Sequence, residues 1–291
     1  MTETLFLQGN KGDYMGVDEK IEPNSGLSEK DLERLARMRL IDDTFFSEAL
    51  KGKNEAVQFI LDTVLEGSDL KVIRTESQYE YHSAASRSIR LDIWAQDKDG
   101  KVADIEVQCT DEPDLIERGR YYAGVIDSRL LPKGASFGEI PKRYVIFITR
   151  KDKLGKGLPL YHMRYTIEEL DDKPAGDGGM IVFVNGSFRD ENHPVGRLMH
   201  DFMCTQADEM FSPILAKEVR SIKETERGRV HMCELMEKMR EEAAQESAKQ
   251  RTYEIMDTMI EAGVLSDEDI AMYTNTTTEE VRERRNQKLS A

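Results

Sequence analysis

The sequence has little cysteine and no long apolar run, and each shortage excludes a class of protein. Its three cysteines, Cys109, Cys204 and Cys233, are far apart and odd in number, and they form no CxxC or Cys/His cluster. A structural zinc site or a disulfide framework is therefore not expected, and His200 is expected to be a core or boundary residue. No apolar stretch approaches the roughly 20 residues that a membrane helix needs, and no signal-peptide pattern opens the chain. We expect a cytoplasmic protein.

Basic residues are also in the minority. The chain has 41 Lys and Arg against 56 Asp and Glu, a net charge of −15, which opposes binding to the phosphates of nucleic acid. One stretch differs, because Arg118 to Arg164 contains eleven basic residues and three acids, which leaves a local charge of +8. This stretch is either a surface for nucleic acid or a lysine-rich loop that solvates a strand end.

Residues 90–109 contain the pattern of two short strands joined by a tight turn, Asp97-Lys98-Asp99-Gly100. Apolar and polar side chains alternate on both sides of the turn, so each strand has one polar face. These polar faces carry Asp92, Trp94 and Gln96 on the first strand, and Asp104, Glu106 and Gln108 on the second.

The length of the turn decides whether the acids of the two strands meet. A three-residue loop, with Gly100 in the left-handed conformation, pairs Asp97 with Lys101 and places Asp92 opposite Glu106. Two carboxylates at that distance repel each other, and a bound cation or a proton is the usual remedy. A two-residue loop would turn the acids to opposite faces. An acid-rich hairpin with one solvated face is the alternative interpretation.

The pattern LDIWAQDKDGKVADIEVQ, from Leu91 to Gln108, resembles the core of the PD-(D/E)xK nuclease family transposases, the recombination-promoting nuclease group. Asp42-Asp43-Thr44-Phe45-Phe46 resembles the opening segment of that family, Arg118-x-Arg120-Tyr121-Tyr122 its following helix, and Tyr144–Thr149 its next strand. The resemblance implies an α/β fold with a restriction-endonuclease-like core, a mixed central sheet flanked by helices, and a mostly helical C-terminal extension.

The resemblance also implies a metal-dependent DNA endonuclease that acts in recombination or transposition. Asp92 matches the first acid of the motif and Glu106 the second, and with the Val107 carbonyl they would hold Mg²⁺ or Mn²⁺. Gln108 stands where many members of the wider superfamily have lysine, and it would position the attacking water. A helical glutamate often completes such sites, for which Glu48 and Glu55 are the candidates, although the favoured interpretation of each is a solvated helix residue. The alternative is a nuclease fold that binds DNA or another partner without cleaving it.

DNA is the partner that this resemblance implies, and the basic stretch follows the active-site strand directly. The residues expected to contact DNA are Arg118, Arg120, Lys142, Arg143, Arg150, Lys151 and Lys153.

Composition divides the chain into three parts. Residues 1–27 contain several glycines and few apolar groups and are expected to form a flexible arm. Residues 28–212 carry the helix and strand patterns of the nuclease-like domain, and residues 213–291 form a charged helical extension. An apolar seam in that extension favours helix packing or a homodimer through the C-terminal helices, and it consists of Met232, Leu235, Met236 and Met239. Its last helices resemble a small helix-turn-helix, with a helical dimerisation or docking tail as the alternative.

Overall fold

The structure is a computed structural model and describes residues 27–81, 89–108 and 114–289. Its helices are α1 (Glu29–Arg37), α2 (Asp43–Leu50), α3 (Asn54–Val64), α4 (Leu115–Leu130), α5 (Pro194–Met203), α6 (Pro213–Lys223), α7 (Glu226–Ala262), α8 (Asp267–Thr274) and α9 (Thr278–Leu289). Its strands are β1 (Val72–Tyr81), β2 (Ile89–Asp97), β3 (Val102–Gln108), β4 (Arg143–Thr149), β5 (Leu160–Met163), β6 (Thr166–Ile167), β7 (Lys173–Pro174) and β8 (Gly179–Asn185). The predicted arm, apart from Leu27, lies outside the described residues, as does Cys109.

A mixed sheet of six strands forms the centre of the fold, in the order β1-β2-β3-β4-β8-β5. The first three strands form an antiparallel meander, β3, β4 and β8 run parallel, and β5 is antiparallel to β8 at the edge. A parallel step needs a crossover connection, and α4 supplies the one between β3 and β4. The predicted mixed sheet flanked by helices, with a helical C-terminal region, is confirmed.

Two apolar cores cover the two faces of the sheet. The larger core packs one face against α1, α2, α3, α5, α6 and the first part of α7. The smaller core packs the opposite face against α4, through Tyr122, Ala123 and Ile126. The strands β4 and β8 are almost continuously apolar because both of their faces are covered. The sheet is therefore a rigid support for side chains at its ends.

Helix starts follow the capping residues in the sequence. The Ser28 side chain accepts the amide of Asp31 at the start of α1, and Ser266 and Asp269 form a capping box at the start of α8. Gly263, with φ of 68°, ends α7 in the left-handed conformation that glycine adopts without steric cost. These caps determine where α1 and α8 begin and where α7 ends.

The main core continues past residue 213, which is the predicted start of the helical extension. Leu215 and Val219 of α6 and Met232 and Met236 of α7 are buried in it. The methionine seam thus packs against the chain's own core. A separate small cluster, including Met256, Ile270 and Val281, holds the end of α7 against α8 and α9.

Within the described residues, we find no helix with both the length and the apolar content needed to cross a bilayer.

Candidate functional site

The turn between β2 and β3 sets the register of the hairpin. Gly100 has φ of +81°, and the Asp97 amide donates to the Lys101 carbonyl at 2.9 Å. The buried Asp97 carboxylate accepts the amides of Asp99 (2.8 Å) and Lys101 (2.9 Å) through one oxygen. Ile93 consequently pairs with Ile105. The predicted three-residue loop is confirmed, and the two-residue loop is excluded.

Asp92 and Glu106 bond to each other's strand where the backbone ladder between β2 and β3 ends. The Asp92 amide donates to Glu106 Oε1 at 2.9 Å, and the Val107 amide donates to Asp92 Oδ2 at 2.9 Å. The two acids are 8% and 2% exposed. The hairpin thus opens at these residues, and side-chain carboxylates take the positions that backbone carbonyls occupy farther along the ladder.

The ladder between β1 and β2 is also interrupted at Asp92. Ser77 pairs with Ile93 and Tyr79 with Leu91, but Gln78 and Asp92 between them are not paired. Gln78 has φ of 52°, a left-handed conformation that is strained for a residue with a Cβ. This distortion leaves the Asp92 amide available to Glu106.

Two further acids lie close to this pair. Asp104, two residues before Glu106 on the same strand face, is fully buried; no amide or basic side chain donates to its carboxyl oxygens, and its polar side-chain neighbour is the Glu106 carboxyl group. Asp43, the first residue of α2, is exposed, and its charge acts on both Asp92 and Glu106. The site therefore brings together one acid from α2, one from β2 and two from β3.

Neither candidate helical glutamate has a contact with these acids among those described. Glu48 Oε2 lies 3.0 Å from Nε2 of His231, and Glu55 is exposed at the start of α3, as expected of a solvated helix residue. The tandem acids Asp42-Asp43, directly before the apolar Phe45-Phe46 at a helix start, were the sequence signal for Asp43.

Burial and mutual repulsion keep protons on these acids. Burial, then the charges of Glu106 and Asp43, raises the pKa of Asp92 to about 8. Burial raises the pKa of Glu106 to about 7, although the Asp92 amide and Arg118 oppose the shift. The pKa of Asp104 lies well above its ordinary value because of burial and then the neighbouring Glu106 and Asp92. In the absence of a cation, this cluster cannot carry its full negative charge near neutral pH.

Arg118 of α4 is the cation beside the acids. Its Nη2 lies 3.1 Å from Glu106 Oε2 and donates to the Tyr122 hydroxyl at 3.0 Å. Its charge lowers the pKa of Asp92, Asp104 and Glu106 alike. Arg118 was predicted to contact DNA, whereas its guanidinium lies against a site carboxylate in the structure.

The two other predicted site residues follow Glu106 on β3. The Val107 amide faces β2, and because a residue's amide and carbonyl point to the same side of a strand, the Val107 carbonyl also faces the open end of the hairpin. Gln108 pairs with Thr149 of β4 at the same end of the sheet. Its side chain lies outside the described atoms.

The predicted DNA-binding residues divide between the two ends of β4. Arg150, Lys151 and Lys153 follow β4 at the end where Glu106 lies, and Arg150 also pairs with Asp42 at 3.0 Å. Lys142 and Arg143 stand at the opposite end of the strand. The basic stretch is therefore not one continuous surface.

Arg143 is not positioned to contact DNA from the surface. Its side chain is 7% exposed, and its Nε donates to Asp127 Oδ1 at 2.9 Å. Lys142 lies 3.6 Å from Asp69, while Arg120 is exposed on α4. The interpretation of Arg143 as a surface contact is wrong, because its position at the start of a covered strand buries it.

A second cluster of metal-binding residue types lies on α5. Cys204 Sγ is 3.5 Å from His200 Nδ1, so the statement that the cysteines form no Cys/His cluster is wrong. However, Asp201 uses both carboxyl oxygens to accept the amides of Phe211 and Ser212, and burial raises the pKa of the Cys204 thiol to about 11. His200 packs against Phe211, as expected of a boundary residue. This cluster fixes the chain reversal after α5.

The match to known families falls on this region of the chain. Residues 44–175, which include Asp92, Glu106 and α4, match the family model described as PD-(D/E)XK nuclease family transposase. The searches of curated proteins and of solved structures found no match. The family supports a nuclease role associated with transposition.

The residues present suit a hard divalent cation. Carboxylates and a backbone carbonyl are oxygen ligands that Mg²⁺ and Mn²⁺ prefer, and Asp92 and Glu106 bring two carboxylates together at the open end of the hairpin. Asp104, whose two buried oxygens receive no bond from an amide or a basic side chain, and the raised pKa values of Asp92 and Glu106 both indicate uncompensated negative charge. A divalent cation would neutralise that charge.

Proposed function

We propose that the protein is a metal-dependent endonuclease that hydrolyses phosphodiester bonds of DNA. The observation that carries the proposal is the reciprocal contact of Asp92 and Glu106 at the open end of the hairpin. Asp92, Glu106 and the Val107 carbonyl would hold Mg²⁺ or Mn²⁺. When bound there, the cation would polarise the scissile phosphate and make a bound water more acidic.

Two backbone amides of the sheet orient the carboxylates of Asp92 and Glu106 before a cation binds. The Val107 amide orients the Asp92 carboxylate, and the Asp92 amide orients Glu106. Because both orienting groups belong to the sheet, the carboxylates have little freedom to rotate. Preorganised oxygen ligands of this kind lower the reorganisation needed at the moment of reaction.

Arg118 would supply the positive charge that a lysine at position 108 supplies elsewhere in the superfamily. Its guanidinium already lies against Glu106, and a phosphate entering the site would meet a planar donor that can bond two oxygens at once. Gln108 would position the attacking water through its amide, without charge. Arg118 would thus supply the positive charge and Gln108 would orient the water, two roles that one lysine fills elsewhere in the superfamily.

DNA would approach the end of the sheet where β3 and β4 finish. Lys151 and Lys153 follow β4 there, and Arg150 lies between Asp42 and this edge. Phosphate contacts from these residues would offset the repulsion that the net charge of −15 imposes at long range. Binding is consequently expected to weaken steeply with salt.

A plasmid-cleavage assay titrated with Mg²⁺ or Mn²⁺ tests the proposal. Wild type is expected to cut only with the cation, and Asp92→Ala is expected to abolish cutting. Asp99→Ala is the matched control, because it removes an exposed carboxylate from the same hairpin, away from the site. Metal-dependent cleavage that persists in Asp92→Ala would overturn the assignment of the site.

The second candidate is a nuclease-fold protein that binds DNA without cutting it. Gln108 in place of a charged lysine favours this candidate. It predicts salt-sensitive DNA binding by wild type, and no cleavage at any concentration of either cation.

A further inference from the structure

A cavity of about 250 Å³ lies between α4 and the strands β8 and β5. Arg143 begins β4 and Gly179 begins β8, whereas Glu106 lies near the end of β3, which runs parallel to both. The starts of β4 and β8 in the cavity wall therefore lie at the opposite end of the sheet from the acids, whereas Ile116 and Arg120 belong to the same turns of α4 as Arg118. Nothing in the proposed cleavage reaction uses this cavity.

Three arginines line the cavity. Among the described residues, the guanidinium of exposed Arg120 has no hydrogen-bond or ion-pair partner, and Arg164 touches only the Met180 sulfur, at 3.4 Å. Arg143 is buried, and its Nε donates to Asp127. This bond orients the guanidinium but does not involve its two terminal nitrogens.

The backbone makes room for the buried guanidinium. A Cβ at Gly179 would lie 2.9 to 3.0 Å from the terminal atoms of Arg143, so any side chain there would require the guanidinium to shift. The glycine at the start of β8 therefore permits a fixed cation inside the cavity wall. Such a cation is costly to bury unless an anion compensates it, and Asp127 touches it at one nitrogen only.

The remainder of the wall is mostly apolar. Ile116 and Ala123 come from α4, and Met163, Met180 and Ile181 come from the strands. The one acid in the lining is Asp177, and Asp127 pairs with Arg143, so three arginines and two aspartates leave a charge of +1 around the cavity. This local excess stands out in a chain of net charge −15.

We propose that this cavity binds a phosphate monoester attached to an apolar or aromatic body of about the size of one nucleotide. A phosphate monoester is an anion at neutral pH, which suits the positive excess of the lining, and guanidinium groups bond phosphate oxygens in pairs. The apolar floor would hold the attached body, and methionine side chains adapt to its shape. The cavity volume of about 250 Å³ lies below the range of about 300 to 1,000 Å³ that is usual for drug-sized ligands, which is why the proposed ligand is no larger than one nucleotide. The phosphate comes either from a free nucleotide or from the 5′ end of a DNA strand.

Calorimetric titration of the full chain tests the proposal. Thymidine 5′-monophosphate and a 5′-phosphorylated oligothymidylate are the two complete ligands. Inorganic phosphate, which lacks the attached body, and thymidine, which lacks the phosphate, are the comparison ligands. We expect saturable binding of at least one complete ligand, tighter than either comparison ligand. The preferred ligand identifies the source of the phosphate.

Variants connect that binding to the cavity. Arg120→Ala and Arg164→Ala are each expected to weaken binding by about tenfold, the effect of losing one charge-assisted bond. Arg227→Ala removes an exposed arginine from α7, on the other side of the sheet, and is expected to leave binding unchanged. Asp92→Ala is the second control, because binding at the cavity does not depend on the acids. Undetectable binding, equal affinity for inorganic phosphate, or equal effects of Arg120→Ala and Arg227→Ala would each overturn the proposal.

Discussion

Asp92 and Glu106 hold each other in place through the backbone of the opposite strand: each carboxylate accepts an amide from the other's strand at 2.9 Å. This exchange keeps two acids close in a buried position, where they would otherwise repel each other. Burial and the repulsion between the acids raise the pKa values of both carboxyl groups, because the charged forms are unfavourable there. Protons or a cation must therefore accompany the folded site.

The first prediction concerns stability without metal. The pKa of Asp92 is about 8 and that of Glu106 about 7 in the fold, against about 4 in the unfolded chain. Between these values the folded state keeps protons that the unfolded state has lost, so the favourable contribution is complete below about pH 4 and is lost as pH rises to about 8. Each group contributes a slope of at most about 1.4 kcal/mol per pH unit.

Thermal melts in chelator, from about pH 5 to about pH 8, measure this effect. Asp92→Asn keeps an acceptor for the Val107 amide but cannot ionise, so its melting temperature should fall less steeply than that of wild type. Added Mg²⁺ should stabilise wild type most at the alkaline end, where the acids are ready to bind it. Parallel pH profiles for wild type and Asp92→Asn would contradict the assigned proton.

The second prediction concerns Asp104. Its carboxyl group is fully buried and receives no bond from an amide or a basic side chain, so ionisation of this group opposes folding. Asp104→Asn should therefore raise the free energy of unfolding of the metal-free protein by about 1 to 3 kcal/mol near pH 8, with a smaller gain near pH 5. Chemical denaturation at the two pH values measures the change. Equal effects at both values would show that the gain has another origin.

Residues close in sequence made the hairpin predictable. Gly100 and the acid-rich turn determine the loop length, and the loop length determines that Asp92 meets Glu106. The starts of α1 and α8 were predictable for the same reason, since each cap lies within one helical turn of the amide it accepts. Local chemistry of this kind is fully present in the printed sequence.

Contacts between distant segments were not predictable in the same way. Asp43 reaches the site because α2 packs on the sheet, and Arg118 because α4 crosses its other face. Neither approach leaves a periodic signal around residue 43 or 118. The edge strand β5 escaped prediction because its half-exposed residues show no clear alternation. The spacing of His200 and Cys204, one helical turn apart, was readable and was overlooked.

The third prediction concerns Arg118. Arg118→Gln removes the cation beside Glu106, and DNA cleavage should fall by about 10² to 10³, as when a transition-state donor is removed. The same change leaves Glu106 with less compensation, so the pH profile of the remaining activity should move to higher pH. Initial rates across pH with supercoiled plasmid measure both effects.

Arg129→Gln is the matched control for Arg118→Gln, since Arg129 is exposed near the end of the same helix. It should leave both the rate and the pH profile unchanged. A purely structural role for Arg118 would lower the rate of cleavage without moving the profile, and that result would remove Arg118 from the electrostatics of the site.

The fourth prediction concerns the strained backbone at Gln78, opposite Asp92. A β-branched residue is poorly tolerated at φ of 52°, so Gln78→Val should lower the free energy of unfolding by about 1 to 2 kcal/mol. Gln78→Gly adopts this φ freely, so its free energy of unfolding should exceed that of Gln78→Val by at least about 1 kcal/mol. Urea denaturation of both gives this difference. If valine forces β1 into regular pairing, the Asp92 amide turns away from Glu106, and Mg²⁺ affinity by calorimetry should fall with it. Equal stabilities of the two variants, with unchanged Mg²⁺ affinity, would mean that the distortion at Gln78 does not hold the site open.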